Sequence, residues 1–232
     1  MIILAIDTAL DACSAAVLDT AAAKTIAIET QAMQRGHAEA LMPLIARVMQ
    51  TSGIAFSALD RVAVTTGPGS FTGLRVGLSA ARGIALAADK PVVGLTTLAA
   101  YAAPVVADNG GHPILSAIDA RHDHIYFQVV SGDGSPLVKP KVAPIAEAFE
   151  AVQFGELHLV GNAAKILAER WPADVTAPFK VDPHAAPDIT WVAWIGAAVS
   201  PESAPARPFY LRAPDAKPPK DQLQVSPQPS AT

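Results

Sequence analysis

Along the first hundred residues, the spacing of apolar residues switches between strand-like and helix-like patterns. Few folds accommodate the order in which these patterns occur. Three short segments in residues 1–30, "MIILAID", "ACSAAVLD" and "AKTIAIET", predict three consecutive strands that form an antiparallel start. Helical spacing follows in residues 37–51, then a strand, a glycine-rich helix over residues 71–88 and a further strand. The order β-β-β-α-β-α-β predicts an α/β unit in which helices and strands alternate after the initial three strands.

A second set of strand and helix patterns begins near residue 100. The segments "HPILSAID", "HIYFQVV" and "ELHLVG" predict strands, and "NAAKILAERW" and "DITWVAWIGAAV" predict helices. Two α/β units joined in this way indicate a two-lobed ribonuclease-H-like chain, which is the architecture of actin, sugar kinases and Hsp70 (the ASKHA fold). We find no internal repeat of fixed period.

These patterns predict how the chain divides. Residues 1–100 form an N-terminal ribonuclease-H-like lobe, and residues 101–212 form a smaller C-terminal lobe. Residues 213–232 are rich in proline and poor in apolar side chains, so we expect a flexible tail there.

The composition argues against a protein that binds nucleic acid by itself, a disulfide-linked protein and a membrane protein. The 232 residues carry a net charge of −4 and no basic run, so a surface that grips nucleic acid unaided is not expected. A single cysteine, Cys13, excludes a disulfide within the chain and suits a reducing cytosol. The start "MIILAID" lacks the regions of a signal peptide, and no apolar run reaches the roughly 20 residues of a membrane span. We therefore expect a cytoplasmic protein without a membrane partner.

The stretch "GPGSFTGLR" raises the question of a phosphate site at the start of the second helix. Backbone N–H groups at a helix N-terminus bind anions, and glycine lets the anion approach closely. The glycines here are Gly67, Gly69 and Gly73, and their spacing matches neither the P-loop nor the dinucleotide-binding motif. The spacing therefore gives the phosphate interpretation only weak support.

The same helix has a face that is nearly free of side chains. Glycine costs about 1 kcal/mol per helical position relative to alanine, so a row of small residues indicates close packing. The packing partner is either this domain's own sheet and first helix or another chain, and the spacing by itself favours the first. Small residues recur every four positions along this face: Gly69, Gly73, Gly77, Ala81 and Ala85.

Several motifs together resemble one known family. The segments "ILAIDTALDACSAAVLD", "GHAEALMPLI", "GPGSFTGLRVGLSAARGIALA", "KPVVGLTTL", "AIDARHDHIYF" and "PFYLR" occur in the order found in the TsaB (YeaZ) family, over roughly residues 1–212. The resemblance implies the two-lobed actin/Hsp70-like fold. It also implies a non-catalytic accessory subunit of TsaD, the enzyme that transfers a threonylcarbamoyl group to the adenosine next to the tRNA anticodon.

The resemblance also bears on metal binding, because the paralogue TsaD carries a His-x-x-x-His metal site after the corresponding strand. In this chain the resemblance places Thr97 and Tyr101 at those two positions. Neither side chain is a good ligand for iron or zinc, which favour imidazole. The resemblance therefore implies no metal and no catalytic residue.

Members of the family pair through their first two helices, which here are residues 37–51 and 71–88. The resemblance implies binding to TsaD, recruitment of the ATPase TsaE, a homodimer through the same helices, and contact with tRNA only through the complex. The residues that we expect at this interface are His37, Leu41, Leu44, Ile45, Val48, Gly73, Arg75, Gly77, Leu78, Ala81 and Arg82.

A kinase-like protein of the same fold that binds or hydrolyses ATP is the alternative from another functional class. Such enzymes hold Mg-ATP through an Asp in a "D-x-G" turn, and Asp7 and Thr8 occupy this position. The third residue here is Ala9, which leaves less room for phosphate oxygens. We expect no cofactor, apart from weak binding of ATP or ADP at Asp7, Thr8, Gly67 and Gly69.

Other candidate chemistry has less support. The run "DARHDH", residues 119–124, has the composition of a metal cluster, but we interpret it as a polar hairpin turn. A peptidase is not supported, because the sequence contains neither "HExxH" nor "GxSxG". The segment "FYLR" is expected to anchor the chain end, and an interface role for Arg212 is left open.

Overall fold

The computed structural model describes residues 1–108 and 110–212. The strands of the first sheet are β1 Ile2–Asp7, β2 Ala12–Asp19, β3 Lys24–Ala32, β4 Arg61–Gly67 and β5 Val92–Thr96. Their spatial order is β3-β2-β1-β4-β5. The first three strands are antiparallel to one another, and β4 and β5 extend the sheet in parallel with β1. The element order predicted for the first hundred residues is thus confirmed.

The second sheet repeats this scheme. Its strands are β6 Ile114–Asp119, β7 His124–Val130, β8 Pro136–Pro144, β9 His158–Val160 and β10 Lys180–Asp182. Their order is β8-β7-β6-β9-β10, again with an antiparallel trio followed by two parallel strands. The repeat is one of topology and does not appear as a period in the sequence. The two-lobed ribonuclease-H-like, ASKHA fold is confirmed by this pair of sheets.

Six α-helices lie between or beside the strands in the described part of the chain. They are α1 His37–Ser52, α2 Phe71–Ala88, α3 Thr97–Ala107, α4 Ile145–Ala148, α5 Ala164–Glu169 and α6 Ile189–Ala198. Ser70 caps α2 and Thr96 caps α3, since each side chain accepts a hydrogen bond from a first-turn N–H group.

Helices α1 and α2 cover one face of the first sheet, and α6 covers the other. Arg61, at the start of β4, donates from Nη1 to the carbonyls of Gly196 (2.7 Å) and Val199 (2.6 Å) and so caps the end of α6. The last helix of the chain therefore packs on the first sheet. The division into lobes at residue 100 stays a prediction.

The chain after α6 runs back along the first lobe as a strap, residues 204–210. The Gly94 N–H donates to the carbonyl of Ala204 (2.8 Å), and the Phe209 N–H donates to the carbonyl of Thr66 (2.8 Å). These bonds cover the open edge of β5 and reach the end of β4. The segment "FYLR" thus anchors the chain end through Phe209, as predicted from the sequence. The predicted tail, residues 213–232, lies outside the described residues.

Candidate functional site

The turn between β1 and β2 contacts the N-terminal half of α2. The Thr8 hydroxyl donates to the Gly73 carbonyl (2.7 Å), and the Ser70 N–H donates to the Ala9 carbonyl (2.7 Å). These two bonds hold the start of α2 against the β1–β2 turn without any contribution from a second chain.

The glycines of α2 make this contact possible. A Cβ atom on Gly69 would lie 2.3 Å from the Ala9 carbonyl oxygen, and one on Gly73 would lie 2.1 Å from the Thr8 carbonyl oxygen. A Cβ atom on Gly77 would lie 2.4 Å from the Thr8 hydroxyl. The small-residue face therefore packs against the chain's own β1–β2 turn. The expectation that a partner chain meets Gly73 and Gly77 is corrected, because no space remains beside them.

The four positions proposed for weak nucleotide binding are brought together here, but around a filled turn. Asp7 ends β1 and Thr8 follows it, while Gly67 ends β4 and Gly69 lies just before α2. The Ser70 N–H, which a phosphate would need, already donates to Ala9. A Cβ on Gly67 would lie 3.1 Å from the Phe209 carbonyl oxygen. The Mg-nucleotide that the fold implies does not fit here, because the Ser70 N–H and the Thr8 hydroxyl bond within the chain and the glycines lie against its backbone.

Asp7 is fully buried at the end of β1. Its Oδ1 accepts hydrogen bonds from the Ala9 N–H (3.0 Å) and from the Thr65 hydroxyl, whereas Oδ2 has no partner within the described residues. Burial raises the pKa of this carboxyl above its usual value, and the bonds from Thr65 and Ala9 only partly oppose the effect. The raised pKa favours the neutral acid, which is a poor ligand for a cation.

The two positions that replace the paralogue's metal histidines hold buried hydroxyls. Thr97 is fully buried and its Oγ1 has no hydrogen-bond partner within the described residues. The Tyr101 hydroxyl donates to the His184 carbonyl (2.8 Å), and burial raises the pKa of the phenol. No group of three or more His, Cys, Asp or Glu side chains is placed to hold a metal in the part of the chain that the structure describes.

Most side chains predicted for the interface lie inside this chain instead. The physical reason is that the apolar stripe of an amphipathic helix faces its own sheet before it can face a partner. His37 is buried as well, and its Nε2 lies 3.0 Å from the Leu10 carbonyl oxygen. The interface prediction is therefore corrected for five members of the core cluster, Leu44, Ile45, Val48, Leu78 and Ala81. Leu41 belongs to the same cluster but also lines a groove on the outer face of the two helices.

The two arginines predicted for the interface have different surroundings. Arg82 donates from Nε to the Ala206 carbonyl (2.9 Å), so it ties the strap to α2. Arg75 lies on the surface, and its guanidinium stacks over the Phe71 ring at 3.9 Å from the centroid. Both arginines are exposed, and Arg75 is the one of the two that stacks on an exposed aromatic ring.

The outer face of the same two helices forms a shallow apolar groove of about 540 Å³. Met42 is 50% exposed and Phe71 is 40% exposed, both large fractions for apolar side chains. This second row of α2 was not predicted, although Thr72, Val76 and Ala80 recur every four positions, because the glycine row was the stronger pattern. The groove is lined by Ala38, Leu41, Met42, Phe71, Thr72, Arg75, Val76, Ser79 and Ala80.

The run at residues 119–124 is a polar hairpin turn, as predicted, with residues 120–123 between the ends of β6 and β7. Arg121, His122 and Asp123 all have positive φ, and the His124 N–H donates to the Arg121 carbonyl (3.1 Å). Asp123 pairs with Arg170 at 2.6 Å, which holds the pKa of that carboxyl below its usual value. The turn is therefore stabilised by ion pairing and backbone bonds.

Comparisons with known proteins place the chain in a family. The model for TsaD, tRNA N6-adenosine threonylcarbamoyltransferase, matches residues 21–179, which is more than half of the chain. The tRNA threonylcarbamoyladenosine biosynthesis protein TsaB of Escherichia coli is 38% identical over 55% of this chain and 54% of its own length. The chain belongs to the TsaD family, in its TsaB branch.

Further matches of this TsaB-family chain cover more of its length. An uncharacterized protein of Mycobacterium tuberculosis is 31% identical over 93% of this chain and 94% of its own. The solved structure of YeaZ from Pseudomonas aeruginosa has a TM-score of 0.73 and 28% identity, and covers 90% of this chain and 99% of that one. The chain nevertheless spans only about half the length of the curated TsaB relatives that it matches first. Within the described residues, no helix has the length and apolar character needed to cross a lipid bilayer.

Proposed function

We propose that this chain is a non-catalytic subunit in the biosynthesis of tRNA threonylcarbamoyladenosine, and that it binds TsaD through the outer face of α1 and α2. The names of the TsaB relatives support the process, since they describe a biosynthesis protein of this modified nucleoside. The observation that carries the proposed mode of action is the exposed apolar groove between the two helices.

The absence of a catalytic role is supported by two features of the described residues. Thr97 and Tyr101 offer hydroxyls where a metal-dependent transferase would need imidazoles. The β1–β2 turn, where a kinase-like enzyme would hold Mg-nucleotide, is packed against α2 by Thr8 and Ala9. We therefore favour a subunit that acts by binding over the kinase-like alternative.

The groove has the character of a helix-docking surface. Its walls are rows of residues four apart, Ala38 and Met42 on α1, and Thr72, Val76 and Ala80 on α2. Small side chains in these rows let a partner helix approach to the short end of the usual 8–10 Å interaxial range. Exposed apolar surface of this kind is typical of interaction sites.

The remaining partners follow from the same surface. A second copy of the chain presents an identical groove, so a two-fold homodimer is the form that we propose when TsaD is absent. TsaE then joins through the assembled complex, and tRNA is bound by the complex and not by this chain alone. The net charge of −4 agrees with a weak intrinsic affinity for RNA.

The proposal is tested by measuring the affinity of the purified chain for TsaD with titration calorimetry. Met42→Glu places a charge in the groove and is expected to weaken binding at least tenfold. Ile28→Glu is the matched control. Ile28 is 53% exposed, close to the 50% of Met42, but it lies on β3 and does not line the groove. Equal affinities for both variants, or no binding by the unmodified chain, would contradict the proposal.

A further inference from the structure

We propose that Tyr210 in the C-terminal strap is a positioning residue of the partner-binding surface, which it completes by holding Phe71 and Arg75 in place. This inference rests on the proposed function, and it assigns a role to the "FYLR" segment that the helices alone do not explain. It also specifies the partner's chemistry at one end of the groove.

Tyr210 and Phe71 form a stacked pair that links the strap to the first residue of α2. Their ring centroids are 5.5 Å apart with an interplanar angle of 30°. Tyr210 is 43% exposed and Phe71 is 40% exposed, so both rings still present apolar surface. The pair extends the groove beyond the end of the helix by one aromatic side chain.

The strap that carries Tyr210 is firmly attached to the lobe. Its neighbour Phe209 bonds to Thr66 through the backbone, and Arg82 holds the carbonyl of Ala206. Gly67 leaves just enough room for the Phe209 carbonyl, since a Cβ there would approach it to 3.1 Å. A ring on such an anchored backbone loses little further freedom when a partner binds, which favours affinity.

Phe71 in turn orients the charge of the groove. The Arg75 guanidinium stacks on the Phe71 ring at 3.9 Å, and Arg75 is the one charged side chain among the residues that line the groove. Stacking fixes the plane of the guanidinium and leaves its exposed N–H groups for a carboxylate. The surface therefore fits a helix with a row of small or apolar residues and an Asp or Glu against the Arg75 end.

The test measures the dissociation constant for TsaD with Tyr210→Ala and Tyr210→Phe. We expect about a tenfold loss for Tyr210→Ala and recovery of the original affinity for Tyr210→Phe, because the ring and not the hydroxyl makes the stack. Phe179→Ala is a control, because that aromatic is 54% exposed and lies in the C-terminal half of the chain. Urea unfolding of each variant establishes that the fold is retained.

Salt dependence separates positioning from a purely structural role. Added salt should weaken binding of the unmodified chain, because it screens the Arg75 contact. The slope of log Kd against log salt concentration should be smaller for Tyr210→Ala, as it should be for Arg75→Gln. If Met42→Glu weakens binding while Tyr210→Ala leaves both affinity and slope unchanged, the inference is overturned and the proposed function stands. If the unmodified chain does not bind TsaD, both are overturned.

Discussion

The hydroxyl of Thr8 donates to the carbonyl oxygen of Gly73 across 2.7 Å, although the two residues lie 65 positions apart. This bond forms because Gly73 and Gly77 bring the backbone of α2 against the turn after β1. The contact fixes the rotation of α2 about its own axis. That rotation buries the glycine row and turns the row of Thr72, Val76 and Ala80 toward the groove.

Replacing Gly73 should disturb this contact strongly. Gly73→Ala puts a methyl group 2.1 Å from the carbonyl oxygen of Thr8, a backbone atom that cannot rotate away. We expect a loss of about 3 kcal/mol in the free energy of unfolding, at the upper end of ordinary overpacking costs. Urea unfolding followed by circular dichroism measures this.

The matched control is Gly83→Ala in the same helix, where a Cβ would meet no atom within 4 Å. That variant should gain up to about 1 kcal/mol from helix propensity. Equal effects of the two substitutions would show that the glycine row is not a packing surface.

Arg61 should stabilise the C-terminal helix on the first sheet. It donates to the carbonyls of Gly196 and Val199, which have no partners further along α6. Arg61→Met is expected to lower the free energy of unfolding by about 1.5–3 kcal/mol, the range for hydrogen bonds to charged groups. Arg75→Met, on the surface of α2, is the control and should change stability by less than about 0.5 kcal/mol. Thermal unfolding of both variants measures the difference.

Thr97 and Tyr101 should respond in opposite directions when their hydroxyls are removed. Thr97→Val deletes a buried oxygen without a partner among the described residues, so stability should rise by about 1 kcal/mol. Tyr101→Phe deletes a bond to the His184 carbonyl, so stability should fall by about 1 kcal/mol. Chemical denaturation of both variants checks the pair, and a loss of stability for Thr97→Val would refute the assignment of its environment.

Asp7 should make stability depend on pH. Its pKa is raised in the folded protein by burial, so the folded state holds the proton more tightly than the unfolded chain. The stability that it contributes is fully present below the ordinary carboxyl pKa of 3.8 and falls as pH rises through the folded pKa. Asp7→Asn lacks this titration, so its stability relative to the original chain should increase with pH and then level off.

Unfolding free energies measured from pH 3.5 to 8 test this prediction. A stability difference that stays constant or shrinks with pH would mean that Asp7 is ionised without penalty. Titration of the chain with Mg-ATP gives an independent check, because a tight complex lost in Asp7→Asn would support the kinase-like alternative.

Much of the fold follows from hydrophobic period and turn residues. The short apolar segment "ACSAAVLD" and the helical spacing from His37 onward give β2 and α1 nearly to the residue. β10 escaped prediction because three residues, Lys180–Asp182, are too short to show a period. The packing of α6 on the first sheet also escaped, since a contact between Arg61 and Val199 depends on tertiary structure and leaves no local pattern.

The site was harder to predict than the fold, for a physical reason. Leu41, Leu44 and Val48 have the spacing of an interface stripe, and a stripe that faces its own sheet has the same spacing. The resemblance to TsaB pointed to the two helices, but not to which face of each is free. Exposure of Met42 and Phe71 in the folded chain is what distinguishes the faces.

The most direct test of the proposed role is tRNA modification in a purified mixture of the enzyme that forms the threonylcarbamoyl group, TsaD, TsaE, threonine, bicarbonate, ATP and tRNA. We predict threonylcarbamoyladenosine only when this chain is added, a loss of at least tenfold in initial rate with Met42→Glu, and an unchanged rate with Ile28→Glu. Modification that proceeds equally without the chain, or equally with Met42→Glu, would contradict a subunit that acts through the outer face of α1 and α2.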